Sequence, residues 1–415
     1  MTRLIIWSFG KVNINRNDIE LLSNGQPPES EELLQKMTVG REIWLDFFKK
    51  YQLDYFIANG GSKVKILVGD KGTGKTHLIR SIMLDAKSSG YVTVYLSAKN
   101  FRPNNLVDFY QSILKKIDLE LIVRGICCTV SQEFSIDDQY DGSEVFIPRI
   151  RDQYPNTQIA TSEIKKAISK IIKKYDFTSS FQSFVYQVVY NRMIANQQDA
   201  IEKAKKWLSA TNDITKEEKK EFKSLLLFEE IRKFNARDWI NSLVQLIRLA
   251  GNKGLVISVD DLEVLTEKNP ETHRYSYTKN AISDVYEIIR QLIDDTEVLE
   301  YCLFIFAGNS DLVTNHERGF RSYDALWIRL QNGFKECDRF NSFSDLLDIN
   351  KHLKELQSKY LPEINQKTYS LLQQASLRDD QLDFPSNYLK NFSQLQQVVI
   401  EAVVKAVKDQ KKREL

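Results

Sequence analysis

Residues 62–76 read SKVKILVGDKGTGKT, and this stretch decides the fold of the chain. The β-branched run at 64–68 predicts a short buried strand, and Thr76 begins a helical pattern. Between them, residues 69–76 match the pattern GxxxxGK[ST] in full, in the strand–loop–helix context that makes this pattern specific. A further strand pattern at 91–96 completes a βαβ unit. The unit implies a parallel sheet that helices cover on both faces.

The loop after this first strand predicts a phosphate-binding site with defined roles. Its glycines let the backbone approach closely, so that several N–H groups and the start of the helix face the phosphates. Lys75 supplies positive charge at the β- and γ-phosphates, and the Thr76 hydroxyl is a ligand for Mg²⁺. We therefore expect ATP and Mg²⁺ as cofactors, against the weak alternative of a chance glycine-rich turn. The expected binding residues are Gly69, Asp70, Lys71, Gly72, Thr73, Gly74, Lys75, Thr76 and His77.

Two aspartates follow another buried strand pattern, at residues 255–259. Asp260 is the expected carboxylate partner of the loop and holds Mg²⁺, usually through water. Asp261 stands where a hydrolysing enzyme often has a glutamate that orients the attacking water, and its shorter side chain predicts slow turnover. The alternative is an acidic strand end that only starts a turn. We interpret Glu263 as a solvent-facing or structural carboxylate.

The strand patterns divide the chain into three parts. Residues 1–62 form an N-terminal segment that opens with a strand-like run at 4–7. Residues 63–330 form the core, which a mostly helical insertion interrupts at 101–234. Only helical patterns remain in residues 331–415, and we interpret this part as a separate helical domain.

The composition is typical of a soluble globular protein. Hydrophobic residues make up 42% and charged residues 27% of the 415 residues, which excludes a disordered or fibrous chain. Lysine and arginine number 58 against 56 aspartate and glutamate, so the net charge is +2 and any DNA contact must come from a local patch. The four cysteines form no disulfide framework, and no uncharged run approaches the ~20 residues that span a bilayer. We expect a cytoplasmic location without membrane contact.

One segment of the insertion is strongly basic. Its lysines could form a patch for a nucleic-acid backbone, and the favoured alternative is the solvated face of a packed helix. They are Lys165, Lys166, Lys170, Lys173 and Lys174.

The whole arrangement resembles the AAA+/STAND group of P-loop ATPases, over residues 39–100 and 235–330. The resemblance implies an α/β P-loop NTPase (AAA+-like) fold, with a parallel-sheet core, a large helical insertion and a C-terminal helical lid. The segment VGRE at 39–42 looks like the motif with which this group helps to surround adenine. That similarity implies nucleotide contacts from Gly40 and Arg41.

Two further site residues follow from the same resemblance. Asn309, just past the strand pattern at 303–307, occupies the sensor-1 position beside the γ-phosphate or the attacking water, unless it only forms a turn. The segment YDALWIRL at 323–330 looks like the one that places an arginine finger. Arg329 is then the first candidate to reach the site of a second subunit in a homo-oligomer. Its alternative is a surface arginine or one paired with a local carboxylate.

A closer resemblance is to the ATP-binding proteins of BREX-type phage-defence systems (the BrxD-like family). It rests on the long helical insertion, the strand region 254–263, and FAG at 306–308 followed by RGFRSYDAL at 318–326. The family implies an ATPase that acts on foreign DNA beside a superfamily-2 helicase or another protein of the same defence system. The implied function is ATP binding and hydrolysis that couples the nucleotide state to DNA or to the helicase partner.

Two departures from the family pattern favour a different class of function. Asp261 replaces the usual glutamate, and the lid segment 385–390 has no arginine at the expected sensor-2 position, where Lys390 is the only substitute. These departures suit a nucleotide-gated scaffold or loader that binds ATP and rarely hydrolyses it. A self-contained helicase or nuclease is not expected, because we find no second helicase motif set and no carboxylate–lysine nuclease cluster.

Overall fold

The computed structural model of the chain describes residues 14–136, 140–211, 213–295, 298–331, 344–373 and 392–414. The predicted run at 4–7 and the lid segment 385–390 lie outside these residues. The described strands are β1 (Ser62–Val68), β2 (Val92–Ser97), β3 (Leu255–Asp260), β4 (Cys302–Gly308) and β5 (Leu346–Asp348). The described α-helices are α1 (Arg16–Ser23), α2 (Glu31–Met37), α3 (Arg41–Phe48), α4 (Lys75–Ser88), α5 (Leu106–Leu114), α6 (Leu119–Gln132), α7 (Ile147–Ile150), α8 (Thr157–Ile172), α9 (Ser179–Tyr190), α10 (Gln198–Ser209), α11 (Lys216–Ser224), α12 (Ala236–Leu249), α13 (Lys279–Asp294), α14 (Asp311–Thr314), α15 (Asp324–Gln331), α16 (Ile349–Gln373) and α17 (Gln394–Glu414). None of these helices is both long and apolar enough to cross a bilayer.

The described strands form one parallel sheet in the order β2-β3-β4-β1-β5. The phosphate-loop strand β1 and the acidic strand β3 are not neighbours, because β4 lies between them. In a parallel sheet the carboxyl ends of the strands meet at one edge, and ligands bind there. The loop after β1, Asp260 on β3 and Asn309 after β4 therefore share one edge of the sheet. The prediction of an α/β fold with a parallel sheet is confirmed.

Both faces of the sheet are buried, because its central strands are apolar on both faces. Ile66 and Phe304 face a large core that is shared with the helical insertion and α13. Their chain neighbours Leu67 and Ile305 face a second core with α3 and α4. A third cluster joins α1 and α2 to the C-terminal helices α16 and α17. The N-terminal segment is thus packed against the end of the chain.

The edge strand β5 was not predicted. It hydrogen-bonds to β1, with Leu346 opposite Ile66. The prediction that only helices follow residue 330 is wrong here, because a strand of 3 residues is too short to show a two-residue alternation. The structure therefore places residues 346–348 in the core sheet, beyond the boundary predicted at residue 330. The division of the chain into three units stays a prediction.

Between β2 and β3 the chain forms the helical insertion, from α5 to α11, and α12 leads back to the sheet. Trp239 of α12 contacts the rings of Tyr110, Phe181 and Trp207, with centroid distances of 5.5, 5.2 and 4.9 Å. Such aromatic pairs add stability beyond the area that they bury, so this cluster joins four helices of the region. A capping box is present at the start of α11, where the Thr215 side chain accepts from the Glu218 N–H and the Glu218 side chain accepts from the Thr215 N–H.

Lys65 is a buried lysine in the middle of β1, with an exposed fraction of 1%. Its Nζ donates to the carbonyl oxygen of Ser344 at 2.7 Å and lies 3.7 Å from Asp345 Oδ1. Burial lowers the pKa of Lys65 from 10.5 to about 8, although the charge of Asp345 opposes this effect. Between these two pH values the unfolded chain binds more protons than the folded chain. We therefore expect this group to raise the free energy of unfolding by about 3 kcal/mol as the pH rises from about 8 to 10.5.

Replacing Lys65 with methionine is expected to remove this pH-dependent contribution, because the variant has no ammonium group to titrate. The measurement is the free energy of unfolding in urea for both proteins across this pH window. Lys63→Met is the matched control, since Lys63 pairs with the same Asp345 from a more exposed position. A constant difference between wild type and Lys65→Met across the window would contradict the prediction.

Candidate functional site

A cavity of about 900 Å³ opens at the carboxyl edge of the sheet. One part of its lining comes from the phosphate loop and from the residues that follow β3 and β4, and the other part from the N-terminal segment and helices α16 and α17. The predicted site residues that line it are Gly40, Lys71, Gly72, Thr73, Gly74, Lys75, Thr76, His77, Asp260, Asp261 and Asn309. The predicted residues that do not line it are Gly69, Asp70, Arg41 and Arg329.

Two glycines give the phosphate loop its shape. Gly72 has a φ of +79° and Gly74 a φ of +91°, in the left-handed region that residues with a Cβ atom rarely adopt. Gly74 precedes Lys75, the first residue of α4. The N–H groups of the first helical turn have no partners within the helix, so they remain available to an anion.

Lys75 lies inside the curve of this loop. Its Nζ donates to the carbonyl oxygens of Gly69 at 2.6 Å and Asp70 at 2.9 Å. Burial lowers the pKa of Lys75, and the nearby carboxylates oppose this effect, Glu263 first and Asp260 second. Lys75 is therefore a partly buried cation whose N–H groups can donate to a phosphate oxygen in place of these carbonyl oxygens.

Thr76 and Asp260 are in direct contact, although 184 positions separate them. Thr76 Oγ1 donates to Asp260 Oδ2 at 2.8 Å, and the Tyr95 hydroxyl donates to the same oxygen at 3.0 Å. Burial raises the pKa of Tyr95, which keeps it a neutral donor. A hydroxyl and a carboxylate fit Mg²⁺, which takes oxygen ligands and shares its shell with phosphates and water. No three His, Cys, Asp or Glu side chains of the described residues could hold a metal by themselves.

Asp261 is held on the β2 side of the site. Its φ of +63° is in the left-handed region. Its Oδ2 accepts a hydrogen bond from the Ser97 hydroxyl, and its Oδ1 accepts one from the Lys99 ammonium, both at 2.6 Å. Ser97 is the last residue of β2, which lies on the side of β3 away from β4 and β1. Both carboxylate oxygens of Asp261 are therefore engaged with the edge strand and the loop after it.

Glu263, which we interpreted from the sequence as a solvent-facing or structural carboxylate, lines the cavity. It lies in the 3₁₀ turn Leu262–Leu265, and its side chain is 23% exposed. Its Oε2 is buried without a hydrogen-bond partner among the described residues, and burial raises the pKa of its carboxyl group. The signal in the sequence was a carboxylate three positions after Asp260. Its position at the cavity depends on the tight turn after β3, which the sequence pattern does not predict.

A hydrogen-bonded group joins the phosphate loop to the ends of β4 and β5. The Ser310 hydroxyl donates to Asp70 Oδ1 at 2.6 Å, Asn350 Nδ2 donates to Ser310 Oγ at 3.0 Å, and the Asp70 N–H donates to Asn350 Oδ1 at 2.9 Å. Asp70 thus anchors the loop from outside the cavity. Asn309 lines the cavity, where its Nδ2 donates to Glu267 Oε1 at 2.5 Å.

The sequence also matches one family model over nearly its whole length. The model is described as BREX system ATP-binding protein BrxC/D, and it matches residues 13–413. The chain belongs to this family. The predicted membership is therefore confirmed. No curated protein and no solved structure matches the chain.

In this BrxC/D family chain, the side of the cavity away from the phosphate loop is apolar. Gly40, with a φ of +64°, precedes α3, and a Cβ atom there would lie 3.1 Å from the Tyr360 ring. Arg41 was expected to contact the nucleotide, but its guanidinium lies outside the cavity because it pairs with Asp46 at 3.1 Å and Asp85 at 2.7 Å. The apolar lining includes Pro27, Pro28, Val39, Ile43, Leu361, Ile364, Val399 and Leu395, the last of which lies beside Gly74.

His77 lines the cavity as a neutral side chain. Its Nε2 lies 3.0 Å from Thr38 Oγ1, within hydrogen-bonding distance. Burial, helped by the nearby charge of Arg80, lowers the pKa of His77 to about 4. The ring therefore carries no charge at neutral pH, and it adds no positive charge to the phosphate site of this BrxC/D family chain.

The start of α17 in this BrxC/D family chain contacts the phosphate loop. The Ser393 hydroxyl donates to the carbonyl oxygen of Gly72 at 2.7 Å, and Gln396 Nε2 donates to that of Gly25 at 3.2 Å. A Cβ atom on Gly72 would lie 2.2 Å from Gln396 Oε1, so the Gln396 side chain would have to shift to admit one. No local pattern predicts these contacts, because the residues are more than 300 positions apart. The predicted sensor-2 substitute Lys390 lies outside the described residues.

Arg329 of this family member pairs within its own subunit. Its guanidinium donates to the two carboxylate oxygens of Asp294 at 2.5 and 2.6 Å. The neighbouring Arg318 is buried, donates to the Leu265 carbonyl oxygen at 3.2 Å and stacks on Tyr275. Arg318 therefore has a structural role, and the assignment of Arg329 as an arginine finger stays a prediction for an assembly of several copies.

Proposed function

We propose that this chain binds ATP with Mg²⁺ in the cavity and hydrolyses the nucleotide. The nucleotide state would control the engagement of a partner in a BREX-type phage-defence system. The contact that carries this proposal is the 2.8 Å hydrogen bond between Thr76 and Asp260, because it joins the two predicted metal ligands beside the phosphate loop. Membership in a family of BREX system ATP-binding proteins supports the same proposal.

Each part of the site suits one part of the nucleotide. The N–H groups at the start of α4 and the Lys75 ammonium would bind the triphosphate. Thr76 and Asp260 would hold Mg²⁺, which neutralises phosphate charge when it is bound. Asn309 has an amide donor at the end of β4 that would reach the γ-phosphate in place of Glu267. The apolar lining around Gly40 would take the base, since apolar walls with few polar groups are typical of ligand cavities.

A slow-turnover scaffold is the second candidate function, and the contacts of Asp261 favour it. Its two carboxylate oxygens are engaged by Ser97 and Lys99. If Asp261 alone had to orient the water, one of these contacts would have to break in every cycle. Such a protein would hold ATP and change partners with it, and would release phosphate rarely.

The partners are proposed from the family and from the surface. We propose a homo-oligomer in which Arg329 exchanges Asp294 for the γ-phosphate of a neighbour, together with a superfamily-2 helicase or another protein of the defence system. DNA is a further proposed partner, through the basic helix α8. Lys166 pairs with Glu163, and both Lys170 and Lys174 pair with Glu133, so a DNA backbone would have to replace these surface carboxylates.

Calorimetry and phosphate release separate the candidate functions. Titration of the purified chain with ATP and Mg²⁺ should give saturable heat, and absence of binding would overturn both candidates. Steady-state phosphate release above that of a buffer blank would support the ATPase. Binding with one slow turnover and negligible steady-state release would support the scaffold. GTP, titrated in the same way, tests whether the cavity selects adenine.

A further inference from the structure

We infer that Glu263 is the catalytic carboxylate that accepts a proton from the water attacking ATP. The inference rests on the proposed function, because it assigns a further residue to the same nucleotide site. The sequence had given this role to Asp261. The two carboxylates differ in the strand beside which they lie, in whether both oxygens accept a hydrogen bond, and in how strongly they act on Lys75. All three differences favour Glu263 as the proton acceptor.

The contacts of Asp261 point away from the phosphate loop. Both of its oxygens are occupied at 2.6 Å, one by Ser97 and one by Lys99. These partners belong to β2 and the loop after it, whereas the phosphate loop follows β1, on the opposite side of β3. Asp261 could accept the proton of a water only through an oxygen that already accepts a hydrogen bond from Ser97 or Lys99.

The turn that carries Glu263 lies next to β4, and its Oε1 is 4.0 Å from Lys99 Nζ, so it is the other oxygen, Oε2, that carries the argument. A Cβ atom at Gly308, the last residue of β4, would lie 3.1 Å from the Glu263 backbone nitrogen. Because β4 is the strand between β3 and β1, this close approach brings the turn with Glu263 toward the phosphate loop. Of the carboxylates that act on Lys75, Glu263 acts most strongly. Its Oε2 is buried in the cavity wall without a partner in the described part of the chain.

The Oε2 of Glu263, unpartnered among the residues that the structure describes, suits hydrolysis, because the attacking water must give up a proton. The water oxygen forms a bond to the γ-phosphorus, and the bond from that phosphorus to the β–γ bridging oxygen breaks. The electron pair of the broken bond stays with ADP. The proton of the water passes to Glu263 Oε2, and from there to phosphate or solvent. A positioned carboxylate typically accelerates such a proton transfer by about 10²–10⁴-fold.

The buried Oε2 of Glu263 lowers the free energy of unfolding. A residue with a purely structural role is not expected to do so. Burial of the carboxylate and repulsion from Asp261 and Asp260 disfavour its charged form. Groups that lower the stability of the fold in this way are typical of functional sites. This difference supplies a readout that does not depend on turnover, because a neutral replacement should not destabilise the nucleotide-free fold.

Glu263→Gln is the central test. We expect it to bind ATP and Mg²⁺ within about 3-fold of the wild-type affinity and to lower the single-turnover hydrolysis rate constant by about 100-fold or more. The melting temperature of the nucleotide-free variant should equal or exceed that of the wild type. Glu263→Asp keeps the negative charge on a shorter side chain, farther from the bound nucleotide. It should retain ATP binding and show a single-turnover rate constant between those of the wild type and Glu263→Gln.

Two matched variants accompany this test. Asp261→Asn tests the competing assignment, and it should lower the single-turnover rate constant at least about 10-fold less than Glu263→Gln does, because its oxygens are engaged on the β2 side. Glu271→Gln alters an exposed carboxylate further along the same connection and should resemble the wild type in binding and rate.

Several outcomes would overturn the inference. They are a wild-type rate in Glu263→Gln, a loss of turnover confined to Asp261→Asn, or a clear fall in the melting temperature of Glu263→Gln that accounts for its lost activity. A wild-type chain that binds ATP without any single-turnover hydrolysis would overturn it too, while nucleotide binding would stand. A wild-type chain that does not bind ATP would overturn the proposed function and this inference with it.

Discussion

Replacing Lys75 with alanine should weaken ATP binding by about 10- to 100-fold and lower turnover by at least about 100-fold. The physical reason is the loss of the one ammonium that lies inside the phosphate loop, where it donates to the Gly69 and Asp70 carbonyl oxygens. The variant would lose the hydrogen bonds in which donor and acceptor are both charged, and the loop N–H groups that remain are neutral donors to the phosphates. Titration calorimetry with ATP and Mg²⁺ measures the affinity, and a phosphate-release assay measures turnover.

The control for Lys75→Ala is Lys87→Ala. Lys87 lies in the last turn of the same helix and forms an exposed ion pair with Glu31. Both variants remove one lysine from α4, and alanine favours helix in both places, so their melting temperatures should stay close to that of the wild type. Wild-type ATP affinity in a folded Lys75→Ala protein would contradict the phosphate site.

Replacing Asp260 with asparagine should abolish most of the Mg²⁺ dependence of ATP binding and lower turnover by at least about 100-fold. Asparagine keeps the shape of the side chain and an oxygen for the Thr76 and Tyr95 hydroxyls. It removes the negative charge that a divalent cation requires. ATP titrations in Mg²⁺ and in EDTA measure the effect. The two curves should differ for the wild type and nearly coincide for the variant.

Asp199→Asn is the matched control for this second prediction. Its side chain is 81% exposed on α10 and pairs only with a lysine one turn along the helix. It should keep the wild-type difference between Mg²⁺ and EDTA. If Asp260→Asn kept that difference as well, Asp260 would not be a metal ligand, and the proposed arrangement of the site would be wrong.

The main features of the fold could be predicted from the sequence because they depend on local patterns. The strands at 62–68, 255–260 and 302–308 contain short apolar runs rich in β-branched or aromatic residues, and the glycine loop indicates which strand leads to the phosphate site. Parallel strands share one carboxyl edge, so the meeting of Thr76 with Asp260 followed from topology alone.

The details that the sequence could not supply depend on side-chain direction and on distant partners. Asp261 and Glu263 lie two positions apart, and nothing local indicates that one is tied to Ser97 and Lys99 while the other enters the cavity. The resemblance implied that Arg41 contacts the nucleotide, but its guanidinium forms an ion pair with Asp85 at 2.7 Å. Contacts of this kind are set by packing between elements that are far apart in sequence.

The hydrogen bonds of Asn350 have a mechanical consequence. Asn350 lies in the first turn of α16 and is bonded both to the phosphate loop, through the Asp70 N–H, and to Ser310 after β4. The helix that starts at this joint has 25 residues, so it is about 37 Å long. A rotation of about 5° at its base moves the far end by about 3 Å. If α16 rotated as one body about this joint, a small shift at the phosphates would become a larger displacement at the far end, where Leu371 and Leu372 pack against α1, α2 and α17.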